Sequence, residues 1–214
     1  MMARTAPDKQ GIRQLFCSFV CSNSSADPFR EAVFHALSGY KTIDSGGRFL
    51  NNVGGPVEDK VAFEQQYKFS LAMENTSHPG YTTEKLVQAF AAGGVPIYWG
   101  DPRISEMFRP ETFIDMTDCK TPEEAVQKIA DADRNPDQYL SYFSESPIRE
   151  EYRLENFWPR YEASICHIFD QEIEEAGRLT RQGRNMLNAR KEQTMEAMYA
   201  NRLLRKMYEI TGKG

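Results

Sequence analysis

The sequence predicts an α/β fold in which a doubly wound parallel sheet is followed by a C-terminal helical tail. Short apolar runs alternate with single amphipathic helices, and the connecting loops are short. Strands separated by single helices form parallel sheets with helices on both faces. Residues 153–211 contain no strand pattern, so we expect this part of the chain to be helical.

Capping residues and apolar runs define the elements of the first half. Residues 14–20 are apolar and strand-like, and Asp27-Pro28 then supplies an N-cap and a first-turn proline for a helix. Ser38-Gly39 is a typical end for that helix. The next predicted elements are a short strand over 40–43, a short helix over 57–66 and a buried strand over 68–74.

The second half repeats the alternation. A helix over 83–92 ends at Gly93-Gly94, and a capping box that begins at Thr121 starts a helix that runs to about Asp131. Asn135-Pro136 caps one further short helix. The predicted strands of this half cover 95–99 and 112–116.

Composition excludes several classes of protein. Of 214 residues, 40% are hydrophobic and 12% aromatic, too many for a disordered chain. The 26 basic and 31 acidic residues leave a net charge of −5, so we expect no nucleic-acid partner. No apolar run approaches the ~20 residues that span a bilayer, and the N-terminus lacks the apolar core of a signal peptide. We therefore expect a cytoplasmic protein.

The charge is uneven, because residues 178–214 carry nine basic and three acidic side chains. Three interpretations of this tail remain open. It packs on its own or a neighbouring domain, it lies as a basic amphipathic helix on an anionic membrane surface, or it dimerises. The apolar stripe behind all three consists of Met195, Tyr199, Leu203, Met207 and Ile210.

Three polar or glycine-rich loops follow predicted strands, over 22–30, 44–60 and 74–85. Ligands of open parallel sheets bind at the carboxyl ends of the strands. Arg30 and Lys85 each lie in the first turn of a predicted helix, where a cation opposes the helix dipole unless an anion is bound. Two such cations would form a clamp for a diphosphate, and Glu84 could accept hydrogen bonds from sugar hydroxyls. The alternative is that all three side chains are solvated.

Four longer motifs resemble the alpha-1,3/1,4-fucosyltransferase family, glycosyltransferase family 10, and especially its bacterial Lewis-antigen members. They read FCSFVCSN, DSGGRFLNNVGGPVEDK, YKFSLAMEN and GYTTEKLVQAFAAGGVPIYWGDP. The resemblance covers residues 14–160. It implies the GT-B arrangement of two Rossmann-like domains, of which this chain is similar to the C-terminal, GDP-fucose-binding one.

The resemblance also assigns roles to single residues. Arg30 and Lys85 look like the family's cations on the donor diphosphate, and Glu84 and Tyr81 look like its sugar and ribose contacts. Asn75 looks like a further donor ligand. The residues that resemble the rest of the donor site are Ser22, Asn23, Ser24, Val57, Glu58, Asp59, Lys60, Thr82 and Thr83.

The family's reaction transfers fucose to an N-acetylglucosamine-containing glycan with inversion, and an alpha-1,3 linkage is expected. A carboxylate of the N-terminal domain is the general base, and residues 1–13, expected to be a linker or a disordered start, cannot supply that domain. We therefore expect only the donor half here, in residues 14–152, with a basic helical tail over 153–214. The acceptor glycan would be bound through the missing domain.

Neither a metal site nor an obligatory cofactor is predicted. Asp131-Ala-Asp133 matches the acidic motif of metal-dependent sugar transferases, but it lies at the end of a helix and is interpreted as a solvated helix end. The alternative to an enzyme is a non-catalytic module that binds a nucleotide sugar, a partner or the inner face of a bacterial membrane, the last through residues 178–214. Deleting these residues in a liposome co-sedimentation assay separates the two.

Overall fold

The computed structural model describes Pro7 and residues 11–171. The chain divides into two compact units, residues 1–153 and residues 154–214, and each is described by itself. The sheet and its flanking helices belong to the first unit. The described part of the second unit is a single helix and the residue that follows it.

Five parallel strands form one sheet, in the order β2-β1-β3-β4-β5. This order is one of the two common doubly wound arrangements. The strands are β1 (Leu15–Phe19), β2 (Ile43–Ser45), β3 (Tyr67–Met73), β4 (Val95–Trp99) and β5 (Ile114–Asp115).

Helices connect the strands, and three short 3-10 turns follow β4 or precede α6. In the first unit the helices are α1 (Pro28–Tyr40), α2 (Lys60–Glu64), α3 (Glu84–Ala91), α4 (Pro122–Arg134) and α5 (Pro136–Ser141). In the second unit the helix is α6 (Leu154–Asp170). The 3-10 turns are Ile104–Glu106, Pro110–Thr112 and Glu150–Tyr152.

Alternating residues of the strands separate two apolar clusters on opposite faces of the sheet, as the period of two along a strand requires. Phe69, Leu71 and Met73 of β3 belong to the cluster that contains α1, α4 and α5. Ala72 of β3 and Tyr98 of β4 belong to the cluster that contains α3. The predicted α/β class and the doubly wound sheet are therefore confirmed, and α1 and α3 lie on opposite faces.

The prediction of a strand over 40–43 is wrong, because α1 continues through Tyr40. Gly39 does not have the positive φ that ends a helix. The Ser38 hydroxyl donates to the Phe34 carbonyl at 2.7 Å, and the Lys41 N–H donates to the Leu37 carbonyl at 3.0 Å, so the helical pattern runs past the Ser-Gly pair. The strand begins only at Ile43.

Other boundaries moved less. The strand predicted over 112–116 is confined to Ile114–Asp115, since Pro110 starts a 3-10 turn that takes in Thr112. The helix predicted to end near Asp131 continues to Arg134. The strand at Val95–Trp99 has the bounds that the sequence predicts.

Asp133, interpreted from the sequence as part of a solvated helix end, is instead buried in an ion-pair cluster at the amino ends of the strands. Its carboxylate lies 2.8 Å from Lys68 Nζ and 2.5 Å from Lys41 Nζ. The Tyr40 hydroxyl donates to the same carboxylate at 3.0 Å. The interpretation failed because Lys68, at the start of β3, is far from Asp133 in sequence.

The apolar stripe and the basic segment of the tail, residues 178–214, lie outside the described residues. The helix expected from residue 153 onwards is present as α6 up to Asp170. None of the helices within the described ranges is long and apolar enough to cross a membrane.

Candidate functional site

The topological switch point of the sheet lies between its central strands, β1 and β3. From β1 the chain continues to β2 on one side, and from β3 it continues to β4 on the other. Ligands of open α/β sheets bind in the crevice outside such a point. The loops after β1 and β3 meet there, because the Asp27 N–H donates to the Asn75 carbonyl at 2.8 Å. Two of the three predicted loops therefore flank one crevice.

Arg30 joins these two loops from the first turn of α1. Asp27 caps that helix by accepting the Phe29 N–H at 2.9 Å, and the side chain of Arg30 is then directed into the protein, where only 1% of the residue is exposed. One guanidinium nitrogen donates to Asn75 Oδ1 at 2.9 Å, and another donates to the Asn23 carbonyl. Three predicted donor-site residues are thereby brought together.

The Nε atom is the part of the Arg30 guanidinium that has no partner of its own within the described residues. This atom is buried and has no hydrogen-bond acceptor among the described protein atoms. Buried polar groups in proteins are nearly always paired, so an unpaired buried donor requires an explanation, and a ligand that reaches the guanidinium would provide one. The Phe49 ring, 5.6 Å from Arg30 Cζ, lies against the same cation.

Lys85 approaches the crevice from the other face of the sheet, in the first turn of α3. Its Nζ lies 2.8 Å from Glu74 Oε2 and 3.0 Å from Thr83 Oγ1. The side chain is 19% exposed, whereas that of Glu74 is completely buried. Glu74 and Thr83 thus hold the ammonium group in place, while part of the lysine side chain remains exposed to solvent.

Glu74 is a residue of this site that the sequence analysis missed. Besides Lys85, its carboxylate accepts the Thr83 N–H at 2.8 Å and the Thr83 hydroxyl at 2.8 and 2.9 Å. It therefore fixes Thr83, the N-cap residue of α3, whose own side chain makes no capping hydrogen bond to the helix. A glutamate directly after seven buried strand residues could have been recognised, since a buried charge requires a partner.

Gly100 leaves the space that Glu74 occupies. A Cβ atom at this position would lie 2.4 Å from Glu74 Cγ and 2.9 Å from the Tyr98 hydroxyl. Such distances are far inside van der Waals contact, so the glycine after β4 is required for the glutamate after β3. The Glu74 N–H also donates to the Trp99 carbonyl at 2.8 Å, which continues the ladder between the two strands.

The turn before α3 is fixed by Asp101, a second residue that the sequence analysis missed. The turn needs Gly80, whose φ is +80°, and the Thr82 hydroxyl donates to Asp101 Oδ2 at 3.1 Å. Burial alone would raise the pKa of the Asp101 carboxyl, but hydrogen bonds from the backbone of Arg103 and Gly80 hold that pKa below its ordinary value. Asp101 is therefore charged at neutral pH and holds this turn.

Tyr81 and Glu84 lie on either side of the Thr82-Thr83 pair. Tyr81 is half-buried, and its N–H donates to the His78 carbonyl at 3.0 Å. Glu84 is exposed at the first position of α3, one residue from Lys85. Both residues therefore belong to the segment that carries Lys85, and both are accessible to solvent at least in part.

The remaining predicted residues flank this centre with contacts of their own. Asp59 caps α2 by accepting the Ala62 N–H at 3.0 Å, and Lys60 Nζ donates to Gln88 Oε1 at 2.9 Å. The Val57 N–H donates to the Gly46 carbonyl at 2.8 Å. The exposed members of these flanks are Ser22, Asn23, Ser24, Glu58 and Asp59.

The described residues contain no group of three or more His, Cys, Asp or Glu side chains placed to hold a metal ion. The site is thus made of two cations from opposite faces of the sheet, a buried carboxylate that holds one of them, and exposed hydroxyl, amide and carboxylate groups around them. Such an arrangement can bind a negatively charged group and hydrogen-bond a neighbouring polar one.

Comparisons with known proteins point to one family. Residues 11–187 match the model described as glycosyltransferase family 10 (fucosyltransferase), C-terminal part. The chain is 37% identical over 137 residues to the alpha-(1,3)-fucosyltransferase FucT of Helicobacter pylori, covering 64% of the chain and 28% of that protein. It is 33% identical over 174 residues to 4-galactosyl-N-acetylglucosaminide 3-alpha-L-fucosyltransferase 9 of Mus musculus, covering 78% of the chain and 46% of that protein.

Solved structures agree with the sequence matches. An alpha1,3-fucosyltransferase solved with GDP-fucose matches with a TM-score of 0.65 and 32% identity, over 71% of this chain and 47% of that one. Another, solved with GDP, matches with a TM-score of 0.70 and 32% identity, over 75% of this chain and 48% of that one. The chain spans less than half the length of each of these relatives.

Proposed function

This chain belongs to glycosyltransferase family 10, the fucosyltransferases, and we propose that it forms the donor-binding half of such an enzyme, with GDP-fucose as its ligand. One observation carries the proposal: Arg30 and Lys85 approach the switch-point crevice from opposite faces of the sheet, and Asn75 and Glu74, consecutive residues after β3, hold them. A diphosphate across the crevice would meet one cation on each side.

Each side chain of the site has a role in this proposal. The unpaired Nε of Arg30 donates to one phosphate oxygen, and Lys85 Nζ donates to another. Glu84 accepts hydrogen bonds from the hydroxyl groups of ribose or fucose, as carboxylates do in nucleotide sites. Tyr81 and Asn75 contribute further contacts to the donor. Glu74 is a positioning residue, because it contacts Lys85 and Thr83 rather than the ligand.

The reaction that follows is an inverting transfer with an alpha-1,3 linkage. An acceptor hydroxyl attacks the anomeric carbon of fucose, the bond from that carbon to the phosphate oxygen breaks, and its electron pair stays on GDP. The hydroxyl proton passes to a carboxylate base in the part of the family's proteins that this chain does not span. That part also carries the main contacts to the acceptor.

The two cations supply the charge stabilisation in this scheme. Negative charge develops on the leaving diphosphate, and preorganised donors aimed at it lower the barrier. A divalent metal supplies this charge in many phosphoryl and glycosyl transfers. We propose that Arg30 and Lys85 suffice here, with no obligatory metal or other cofactor.

Calorimetry with GDP and GDP-fucose tests the donor site. We expect Arg30→Ala and Lys85→Ala each to lower the affinity by at least about tenfold, because each removes a charge-assisted hydrogen bond to phosphate. Arg134→Ala is the matched control, since it removes one positive charge at the C-terminal end of α4. A folded chain that binds neither nucleotide would falsify the proposal.

Two further measurements address its finer parts. A competition series of GDP-fucose against GDP-mannose reports the sugar preference, and equal affinities would contradict a fucose-specific site. A transfer assay on the chain alone should show little turnover. Robust turnover would contradict the placement of the base outside this chain.

The peripheral membrane location rests on the basic composition of residues 178–214 and on the apolar stripe within them. We propose that this segment contributes binding to anionic vesicles. Liposome co-sedimentation of the chain with and without these residues measures the contribution, and identical sedimentation would remove it.

A further inference from the structure

A second cavity lies next to the proposed donor site, at the same edge of the sheet. Its volume is about 200 Å3, below the roughly 300–1,000 Å3 of pockets that hold drug-sized ligands, so it suits a single ring. Gly80 and Thr82, from the turn that leads to Lys85, form one wall. The other lining residues are Asp101, Arg103, Ile104, Glu106, Met107 and Tyr152.

Hydrogen bonds between two segments of the chain preform this cavity. The Arg149 N–H donates to the Met107 carbonyl at 3.0 Å, and Arg149 Nε donates to the Ser105 carbonyl at 2.7 Å. The 3-10 turn that contains Tyr152 begins directly after Arg149. The tyrosine is thereby held opposite the loop that follows β4.

The charges of the cavity differ from those of the donor site. Two carboxylates, Asp101 and Glu106, and one guanidinium, Arg103, surround it. An excess of carboxylates disfavours phosphate, since like charges repel it. Uncharged hydroxyl groups, by contrast, can donate to carboxylates and accept from a guanidinium.

The apolar residues of the cavity complete this description. Ile104 is buried, whereas 37% of Met107 is exposed, and Tyr152 is half-buried beside it. Sugar-sized ligands present C–H groups on the faces of the ring and hydroxyl groups around its rim. A pocket with apolar and aromatic walls and a few polar side chains fits such a ligand.

We propose that this cavity binds one pyranose ring of the acceptor glycan, so that the donor half contributes an acceptor subsite of its own. The proposal rests on the proposed donor function, because the glycan must lie beside GDP-fucose for transfer. Thr82 supports the placement, since it bonds Asp101 in the cavity and adjoins Tyr81 and Thr83 of the donor site. Arg103 and Glu106 would then be specificity residues that hydrogen-bond the ring hydroxyls.

Saturation-transfer NMR on the full chain, with GDP present and galactosyl-N-acetylglucosamine as the probe, tests the subsite. We expect saturation transfer from the protein to the disaccharide. The affinity for the disaccharide should be about tenfold weaker in Arg103→Ala and in Glu106→Gln. Glu111→Gln is the matched control, because Glu111 is exposed and does not line the cavity. Calorimetry with GDP on every variant verifies the fold and the donor site.

The outcomes separate the two proposals. The subsite is overturned, and the donor site is left standing, if the chain binds GDP but shows no saturation transfer to the disaccharide. The same holds if neither variant weakens the binding of the disaccharide. Variants that weaken GDP-fucose but not the disaccharide also overturn it, because the cavity then belongs to the donor's sugar. If the disaccharide binds in a way that depends on Arg103 but the chain does not bind GDP, the sugar subsite is supported and the donor function is contradicted.

Discussion

The two ends of β3 carry the same chemistry in different surroundings. At its amino end, Lys68 pairs with Asp133 at 2.8 Å, and both side chains are at most 10% exposed. At its carboxyl end, Glu74 pairs with Lys85, also at 2.8 Å, but there the lysine is 19% exposed. In the first pair the ammonium lies 4.7 Å from the centre of the Tyr139 ring, and in the second it borders a crevice.

The difference separates a closed structural ion pair from the pair at the proposed donor site. Asp133 receives donors from Lys68, Lys41 and Tyr40, so that β3, α1 and α4 are tied together and no side is left for a ligand. Glu74 holds Lys85 from one side only. Distance and burial of the carboxylate are alike in the two pairs. The two pairs differ in the edge of the sheet at which they lie and in what surrounds the lysine, which is the Tyr139 ring for Lys68 and the crevice for Lys85.

Removing the carboxylate of the closed pair, Lys68–Asp133, should have the largest effect on stability. We expect Asp133→Ala to lower the free energy of unfolding by about 3–5 kcal/mol, because it leaves buried Lys68 without its counterion. Urea denaturation measures the change. Asp131→Ala, exposed on the same helix, is the control and should stay within about 0.5 kcal/mol of the original chain. Equal losses in both variants would show that the pair is not the cause.

A third buried carboxylate, Glu64, sharpens the comparison because it is poorly paired. Lys60 Nζ is 3.8 Å away, and Glu64 Oε2 has no hydrogen-bond partner within the described part of the chain. Burial raises the pKa of Glu64 from 4.5 to about 7, although Lys60 partly opposes the shift. For Asp133, burial alone would raise the pKa, but hydrogen bonds from Lys41 and Lys68 hold it below its ordinary value.

These opposite shifts predict opposite pH dependences. Folded Glu64 binds its proton more tightly than the unfolded chain does, so its stability contribution is present below pH 4.5 and is lost as the pH rises towards 7. The loss should be about 3 kcal/mol. Asp133 contributes above its unfolded pKa and loses that contribution in acid. Urea midpoints across this range should fall with pH in the original chain, remain flat in Glu64→Gln, and still fall in the exposed control Glu123→Gln.

Exchanging each lysine for methionine compares the two ends of β3 directly. We expect Lys85→Met to weaken GDP binding by about thirtyfold or more, which corresponds to about 2 kcal/mol, whereas Lys68→Met should leave GDP affinity unchanged and lower stability instead. Calorimetry gives the GDP affinity of each variant, and urea denaturation gives its free energy of unfolding. Glu74→Gln with Lys85→Met removes both charges and controls for the carboxylate left unpaired. Restored GDP affinity in this double variant would contradict a direct contact with Lys85.

The smallest predicted effect concerns Gly100, which leaves space for the Glu74–Lys85 pair. Gly100→Ala places a methyl group against Glu74 and should cost about 1 kcal/mol or more in stability, together with a severalfold loss of GDP affinity as Lys85 moves. Gly39→Ala is the matched control, since nothing lies within 4 Å of its added methyl. That variant should leave GDP affinity unaltered and gain stability, because alanine favours the helix. Unchanged GDP binding in Gly100→Ala would mean that Glu74 does not position Lys85.

Local patterns in the sequence were sufficient for the fold class and for the choice of two residues of the candidate site. Apolar runs and caps predicted the alternation of strands and helices, and the dipole argument selected Arg30 and Lys85 as cations at helix starts. These signals are local, because a cap and its helix are adjacent in the chain. Errors arose where a local signal was overridden, as at Ser38-Gly39, where the helix continues past a typical end.

Pairings between distant residues were decided only by the tertiary structure. Arg30 meets Asn75 across 45 positions, and Lys68 meets Asp133 across 65. Strand order, which places β1 beside β3, brings the first pair together and leaves the second at the other edge of the sheet. The sequence by itself determined which charged residues this chain carries and on which elements. The packing of the parallel strands decided which of these charges are buried in pairs and which lie at the candidate site, because burial and partner geometry depend on residues far apart in the chain.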